Sequence, residues 1–418
     1  MIPSPLAAVL LGLLLAAQGE PPAGATFPLK VGEIKLSKTN VGVFPEIDLR
    51  PQESLVGLAR EPNYASNYPQ KFTTRFGGEG AIQVAFAADE KRPGKGYATL
   101  VVDTKGDGDL SRGKRLSGKP ILRGENYEDT DFGAVEIAVP IEGGTMEYPV
   151  AVRYSVKLAG AGVEEPDDSS LYLTSLCVLQ GTVNLGEAAQ TMIVFDANCN
   201  GVFGDRSSPE TAGAAARGDK IWVGKGAPSH EDAYVQALPL GKYFLFDGAY
   251  WEFEFSPANA VTIRKAEVPL GTVEVSQPGF LLQLAEGQDV LCVNGEDGQQ
   301  LDMPTGDYKV VAPGFRRKGK GGVWELEGKP GSCKVKFSVT EGTPTTVELG
   351  PPLKVVIDAK VTNRGVTGWW LELAYRLEGV NDEEYQYLLQ NGKKVRLPEI
   401  EIKDSKGHTV KKGQFEYG

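Results

Sequence analysis

Between Val135 and Val156 the apolar side chains fall on every second residue. Val135, Ile137, Val139 and Ile141 come first; Met146, Tyr148, Val150, Val152, Tyr154 and Val156 follow beyond Glu142-Gly143-Gly144. A helix would repeat about every 3.6 residues, so this pattern demands antiparallel strands with one face buried. The alternation returns at Val355, Ile357, Ala359 and Val361, and at Trp369, Leu371, Leu373, Tyr375 and Leu377. Tyr243 to Phe246 and Tyr250 to Phe255 flank Asp247-Gly248, a hairpin turn whose glycine accepts positive φ. No segment carries a clear helical period, and residues 382–389 fit either a short helix or a strand. With 52 Gly and 27 Pro among 418 residues, turns are plentiful. The expected fold is all-β: a large antiparallel domain with internal duplication (residues 26–265), then two small sandwich-like domains (266–352 and 353–418).

The duplication rests on two stretches. Residues 97–116, YATLVVDTKGDGDLSRGKRL, run from an apolar strand into an acidic loop; residues 191–222 begin TMIVFDANCNGVFGD and do the same. Arg112-Gly113-Lys114-Arg115-Leu116 matches Arg217-Gly218-Asp219-Lys220-Ile221, with an insertion in the second copy. Calcium takes six to eight hard oxygens on a loop that turns sharply at a glycine in position 6. The second loop offers Asp196, Asn198 and Asn200 at positions 1, 3 and 5, Gly201 at 6 and the Val202 carbonyl at 7, with Asp205 and Asp219 within reach. The first offers Asp103, Asp107, Asp109 and Ser111 around Gly108, but Lys105 stands at position 3 and supplies no oxygen. Neither has a glutamate at position 12. Both loops are therefore expected to be weak calcium sites, the second the better. The alternative is a metal-free Asp/Asn/Gly turn.

A net charge of −11 suits divalent cations and argues against nucleic acid or anionic membranes as partners. Leu6 to Ala17 is an apolar run of signal-peptide length followed by small residues, although no Lys or Arg precedes it; residues 1–25 are expected to be removed on export. No later segment has the length and apolarity of a membrane span. Cys177, Cys199, Cys292 and Cys333 leave two alternatives, the pairs Cys177–Cys199 and Cys292–Cys333 or four buried thiols.

The run Val102-Asp103 to Ser111 resembles dockerin and other EF-hand-like loops. Together with Glu61-Pro62-Asn63-Tyr64 upstream and Phe415-Glu416-Tyr417-Gly418 at the end, it resembles secreted β-rich proteins of planctomycete-type bacteria, which implies export and no particular activity. Leu301 to Tyr308 is similar to the turn-and-strand of prealbumin-like and carboxypeptidase-regulatory-like sandwiches. Residues 398–417 resemble the closing hairpin of an immunoglobulin-like sandwich.

For catalysis the residues are sparse. There are only two histidines, His230 and His408, and no nucleophile elbow. The repeated apolar-apolar-Asp at Asp103 and Asp196 sketches an aspartic-type hydrolase, but the glycine that lets two such loops approach is missing. Trp370 is the tryptophan expected to face out and could stack on a sugar. Arg316 to Lys320 reads as a solvated hairpin tip. The expectation is an exported, non-enzymatic structural or binding protein stabilised by calcium, its partner an envelope protein or a glycan.

Overall fold

The computed structural model describes residues 24–35, 44–53, 55, 57–90, 96–123, 127–157, 168–186, 188–209, 218–295, 300–363, 369–391, 393–396 and 398–415. Within them the chain is all-β, in several largely antiparallel sheets. Residues 1–23 of the expected export segment, Arg217 and residues 416–418 lie outside the described residues, whereas Ala25, also placed in that segment, begins the strand Ala25–Pro28 and pairs with Ile263.

The alternating run folds as read. Strands Tyr127–Ile141 and Gly144–Lys157 pair antiparallel, with Met146 opposite Val139 and Tyr148 opposite Ile137. Val135, Ile137 and Val139 and the alternating residues from Met146 to Val156 are almost wholly withdrawn from solvent, and Ile141 partly so. They belong to a five-stranded sheet that faces a four-stranded meander, Gln70–Phe76, Ile82–Asp89, Thr99–Val102 and Lys114–Ser117. Phe72, Phe76, Phe86 and Leu100 from the meander meet Ile137, Tyr148 and Tyr154 in the first core.

A second five-stranded sheet holds Cys177–Leu185, Ala188–Phe195 and Lys220–Gly224. Val183, Met192, Val194 and Ile221 on it pack against Phe253, Val261 and Ile263, which lie on one end of a thirteen-stranded sheet. The rest of that large sheet covers a three-stranded sheet of Leu270–Val275, Gln300–Pro304 and Thr345–Val347, with Phe280, Leu282, Tyr308 and Val310 in the core between them. Pairing in the large sheet continues across residues 265 and 352. Ala266 bonds the Tyr250 carbonyl at 2.8 Å, and strand Gly322–Gly328 pairs with Glu384–Gln390. Residues 382–389 thus resolve mostly as strand. The Asp247-Gly248 turn has φ of 51° and 71°, the paired positive values of a tight hairpin.

Among the described residues there is one α-helix, His230–Gln236, which the sequence reading does not include. At 7 residues it is too short to display a period, yet its start is encoded locally: the Ser229 hydroxyl accepts from the Asp232 amide, and Glu231 and Asp232 sit in the first turn. All four cysteines are buried free thiols, the second of the two alternatives. Among the described residues no helix is long and apolar enough to cross a membrane. The last hairpin, Glu399–Lys403 with Thr409–Gln414, forms a separate two-stranded sheet; Phe415 beyond it packs on Tyr375, ring centroids 4.9 Å apart.

Candidate metal centre

Both acidic loops leave a central strand and return one place further along their sheet. Val102 pairs with Lys114 around the first, and Phe195 with Lys220 around the second. The ladders therefore equate Gly113 with Asp219, one residue away from the match read in the sequence. The insertion in the second loop hides this shift. The substitution matters: a Cβ on Gly113 would lie 2.7 Å from the Val102 carbonyl, whereas the longer second loop has room for an aspartate.

Inside, the loops share one hydrogen-bond scheme. Asp103 accepts from the amides of Asp107 (3.3 Å) and Gly108 (2.9 Å); Asp196 accepts from Asn200 (3.2 Å) and Gly201 (2.7 Å). Asp107 then accepts from the Asp109 amide at 3.0 Å, and Asn200 from the Val202 amide at 2.8 Å. Gly108 and Gly201 have φ of 77° and 76°. Positions 1, 5, 6 and 7 are equivalent in three dimensions, as the template implied. Both loops abut the same strand: Ala138 donates to the Thr104 carbonyl at 2.9 Å, and Val139 lies against Gly201.

They differ in how their charge is met. In the first loop Arg112 bridges Asp109 (2.7 Å) and Asp107 (3.3 Å). The Ser111 hydroxyl bond, and after it Arg112, holds the Asp109 carboxyl below its ordinary value. This loop carries its own cation. Its outer side is pinned by residues 59–60, whose amides bond the Gly108 carbonyl, and Tyr64 of the Glu61-Pro62-Asn63-Tyr64 segment packs in one apolar cluster with Leu110.

The second loop is more deeply buried. Asp196 and Asp219 are almost completely withdrawn from solvent. Asp196 Oδ2 also accepts from the Tyr148 hydroxyl at 2.5 Å. Asp205 accepts from the amide groups of Asn198 (3.0 Å) and Asn200 (2.6 Å). Asp219 Oδ2 accepts from the amides of Gly204 (2.6 Å) and Asp205 (3.1 Å). Burial, and then the charge of Asp205, pushes the Asp196 carboxyl up to about 6, against the bonds from Tyr148, Gly201 and Asn200 that favour ionisation. Burial followed by the charges of Asp196 and Asp205 pushes Asp219 well above the usual carboxylate range. Three buried oxygens in this loop have no hydrogen-bond partner: Asn198 Oδ1, Ser207 Oγ and Asp219 Oδ1.

Those orphaned hard oxygens, beside carboxylates that repel one another, match what calcium takes. Among the described residues, no three His, Cys, Asp or Glu side chains stand in a ready metal cluster. The amide groups of Asn198 and Asn200, turned toward Asp205, partly satisfy it instead. Two contributors escaped sequence reasoning. Arg112 was read only as part of a motif, although its spacing from Asp109 was a usable signal. Tyr148 comes from a distant strand and left no local trace.

The Ser229 hydroxyl is 2.6 Å from Asp232 as part of the helix cap, while the His230 ring lies 3.3 Å from Gln180. His408 pairs with Asp404 in the exposed last turn. Asp103 and Asp196 are each taken up by their own loops. No family model, curated protein or solved structure matches the chain.

Proposed function

We propose that this is an exported, non-enzymatic structural or binding protein whose second acidic loop holds a calcium ion that stabilises the fold. The observation that carries this reading is Asp219, a fully buried carboxylate with one oxygen unbonded, facing the charges of Asp196 and Asp205. A divalent cation supplies the missing charge and a partner for the orphaned oxygens. Asp196, Asn198, Asp205, Asp219 and the Val202 carbonyl would hold it, with Ser207 as a further oxygen. The first loop, whose Asp107 and Asp109 are already paired with Arg112, acts as a turn. Affinity should be on the order of 10⁻⁴–10⁻³ M, that of extracellular modules lacking a tight ligand set.

Melting curves in calcium and in chelator test the reading. At about a hundredfold excess over the dissociation constant, linkage gives about 2.7 kcal/mol of stabilisation, which Asp219→Asn should abolish. Identical wild-type curves in both media would falsify the proposal. A glycan is the second candidate partner, favoured by Trp370, which is 52% exposed. A glycan array probed with wild type and Trp370→Ala decides that point.

A further inference from the structure

Strand Lys354–Asn363 ends the thirteen-stranded sheet and pairs, among the described residues, only with Trp369–Glu378. It is ten residues long, longer than most edges that proteins leave open. Its odd-numbered residues share a face with those opposite: Ile357 lies beside Tyr375 and Val361 beside Leu371. That face is apolar and largely bare, with Val355 57%, Ile357 53%, Val361 62% and Leu371 46% exposed. A bare apolar face next to an open backbone edge marks an association surface.

We infer that the occupant is a second copy of this chain, its Lys354–Asn363 strand adding antiparallel to the first about a two-fold axis through Ala359. The strand's own charges select this partner. Only registers that place odd residues opposite odd residues keep the apolar faces continuous. With Ala359 on the axis, Ile357 faces Val361, and Asp358 faces Lys360 in both directions. Moving the axis by one residue puts Asp358 on Asp358 or Lys360 on Lys360, and like charges directly opposite one another are unfavourable. Among the odd-to-odd registers this is the one that sets Asp358 against Lys360, and it is isologous, so assembly closes at the dimer.

Sedimentation velocity of the full chain over a concentration series tests this. Wild type should dimerise. Asp358→Lys alone and Lys360→Asp alone each create two like-charge pairs and should weaken self-association by roughly tenfold or more. Mixed in equal amounts, the two single variants should form a heterodimer, because each Lys then meets an Asp. The double swap within one chain should restore the homodimer. Asp358 is also paired with Arg376 on the neighbouring strand, so the control for folding is Lys360→Asp, which leaves that pair intact and should keep the wild-type melting temperature. A wild type that stays monomeric at high concentration overturns the inference. So does a dimer indifferent to the single substitutions, or a pair of variants that fails to associate on mixing.

Discussion

Asp219 and Asp196 show how burial converts a carboxylate into a sensor of its surroundings. Each is surrounded by donors, yet each is pushed toward its protonated form because burial removes water and the neighbouring charge has the same sign. An ordinary aspartate titrates near 3.9, so with Asp196 at about 6 the native state binds more protons than the unfolded chain between those values. The stabilisation from the protonated form is complete below about pH 4 and is lost as pH rises through 6. Calcium competes for the same oxygens, so its effect on the melting temperature should grow over that window. In chelator at pH 7.5, Asp219→Asn should melt above wild type, because it deletes a buried like charge while its side-chain oxygen can still accept from Gly204 and Asp205. In calcium the order should reverse. Melting curves of both proteins at pH 5 and 7.5, in each medium, read this crossing; parallel behaviour would sink it. The comparison must be made between variants, since Asp109, held low by Ser111 and Arg112, contributes the opposite trend.

At the scale of the element, the two loops are one backbone device used twice, and much of it was legible. Asp at position 1, an acceptor at 5 and glycine at 6 could be read from Asp103, Asp107 and Gly108 and again from Asp196, Asn200 and Gly201. Their shared hydrogen bonds follow that spacing. What could not be read was the Tyr148 hydroxyl, which arrives from another sheet, and the ladder register, which rather than the motif makes Asp219 the counterpart of Gly113. The device predicts different failures. Asp103→Ala should strip acceptors from two backbone amides and cost about 1–3 kcal/mol, equally in calcium and chelator. Denaturant titrations in the two media check that equality; a calcium-dependent loss would make the first loop a metal site. Arg112→Gln should do the reverse, leaving Asp107 and Asp109 without their cation. Equilibrium dialysis should then count one more bound calcium per chain than in wild type, and an unchanged count would refute the counter-ion role given to Arg112.

For the whole molecule, the second loop matters because of where it lies. Asn200 accepts from Gly77 at 2.7 Å, just past the meander's first strand; Gly201 touches Val139; Gly204 lies against Phe255 on the large sheet; and the Ser207 amide bonds the Leu240 carbonyl at 2.7 Å. Phe203 packs against both the first core and the second. Such long-range joining was invisible in the sequence. Local alternation reveals strands, but the continuation of the large sheet past residue 265 depends partly on Phe244 pairing parallel with Cys292, a contact no periodicity announces. Beside the direct contacts of Cys177 with the first core and of Ala151 with Val178 and Phe195, a loop that touches both cores adds to their cooperativity only while it is ordered. Phe203→Ala should therefore do more than remove partly buried apolar area, which alone costs up to about 3 kcal/mol. It should uncouple the sandwiches, so that calorimetry resolves two transitions where wild type in calcium gives one, and chelator should broaden the wild-type transition in the same direction. Amide exchange locates the effect: protection should fall both in Gly144–Lys157 and in Ala249–Ser256, strands of different cores. If only one of them loses protection, the loop belongs to a single core and does not join the two.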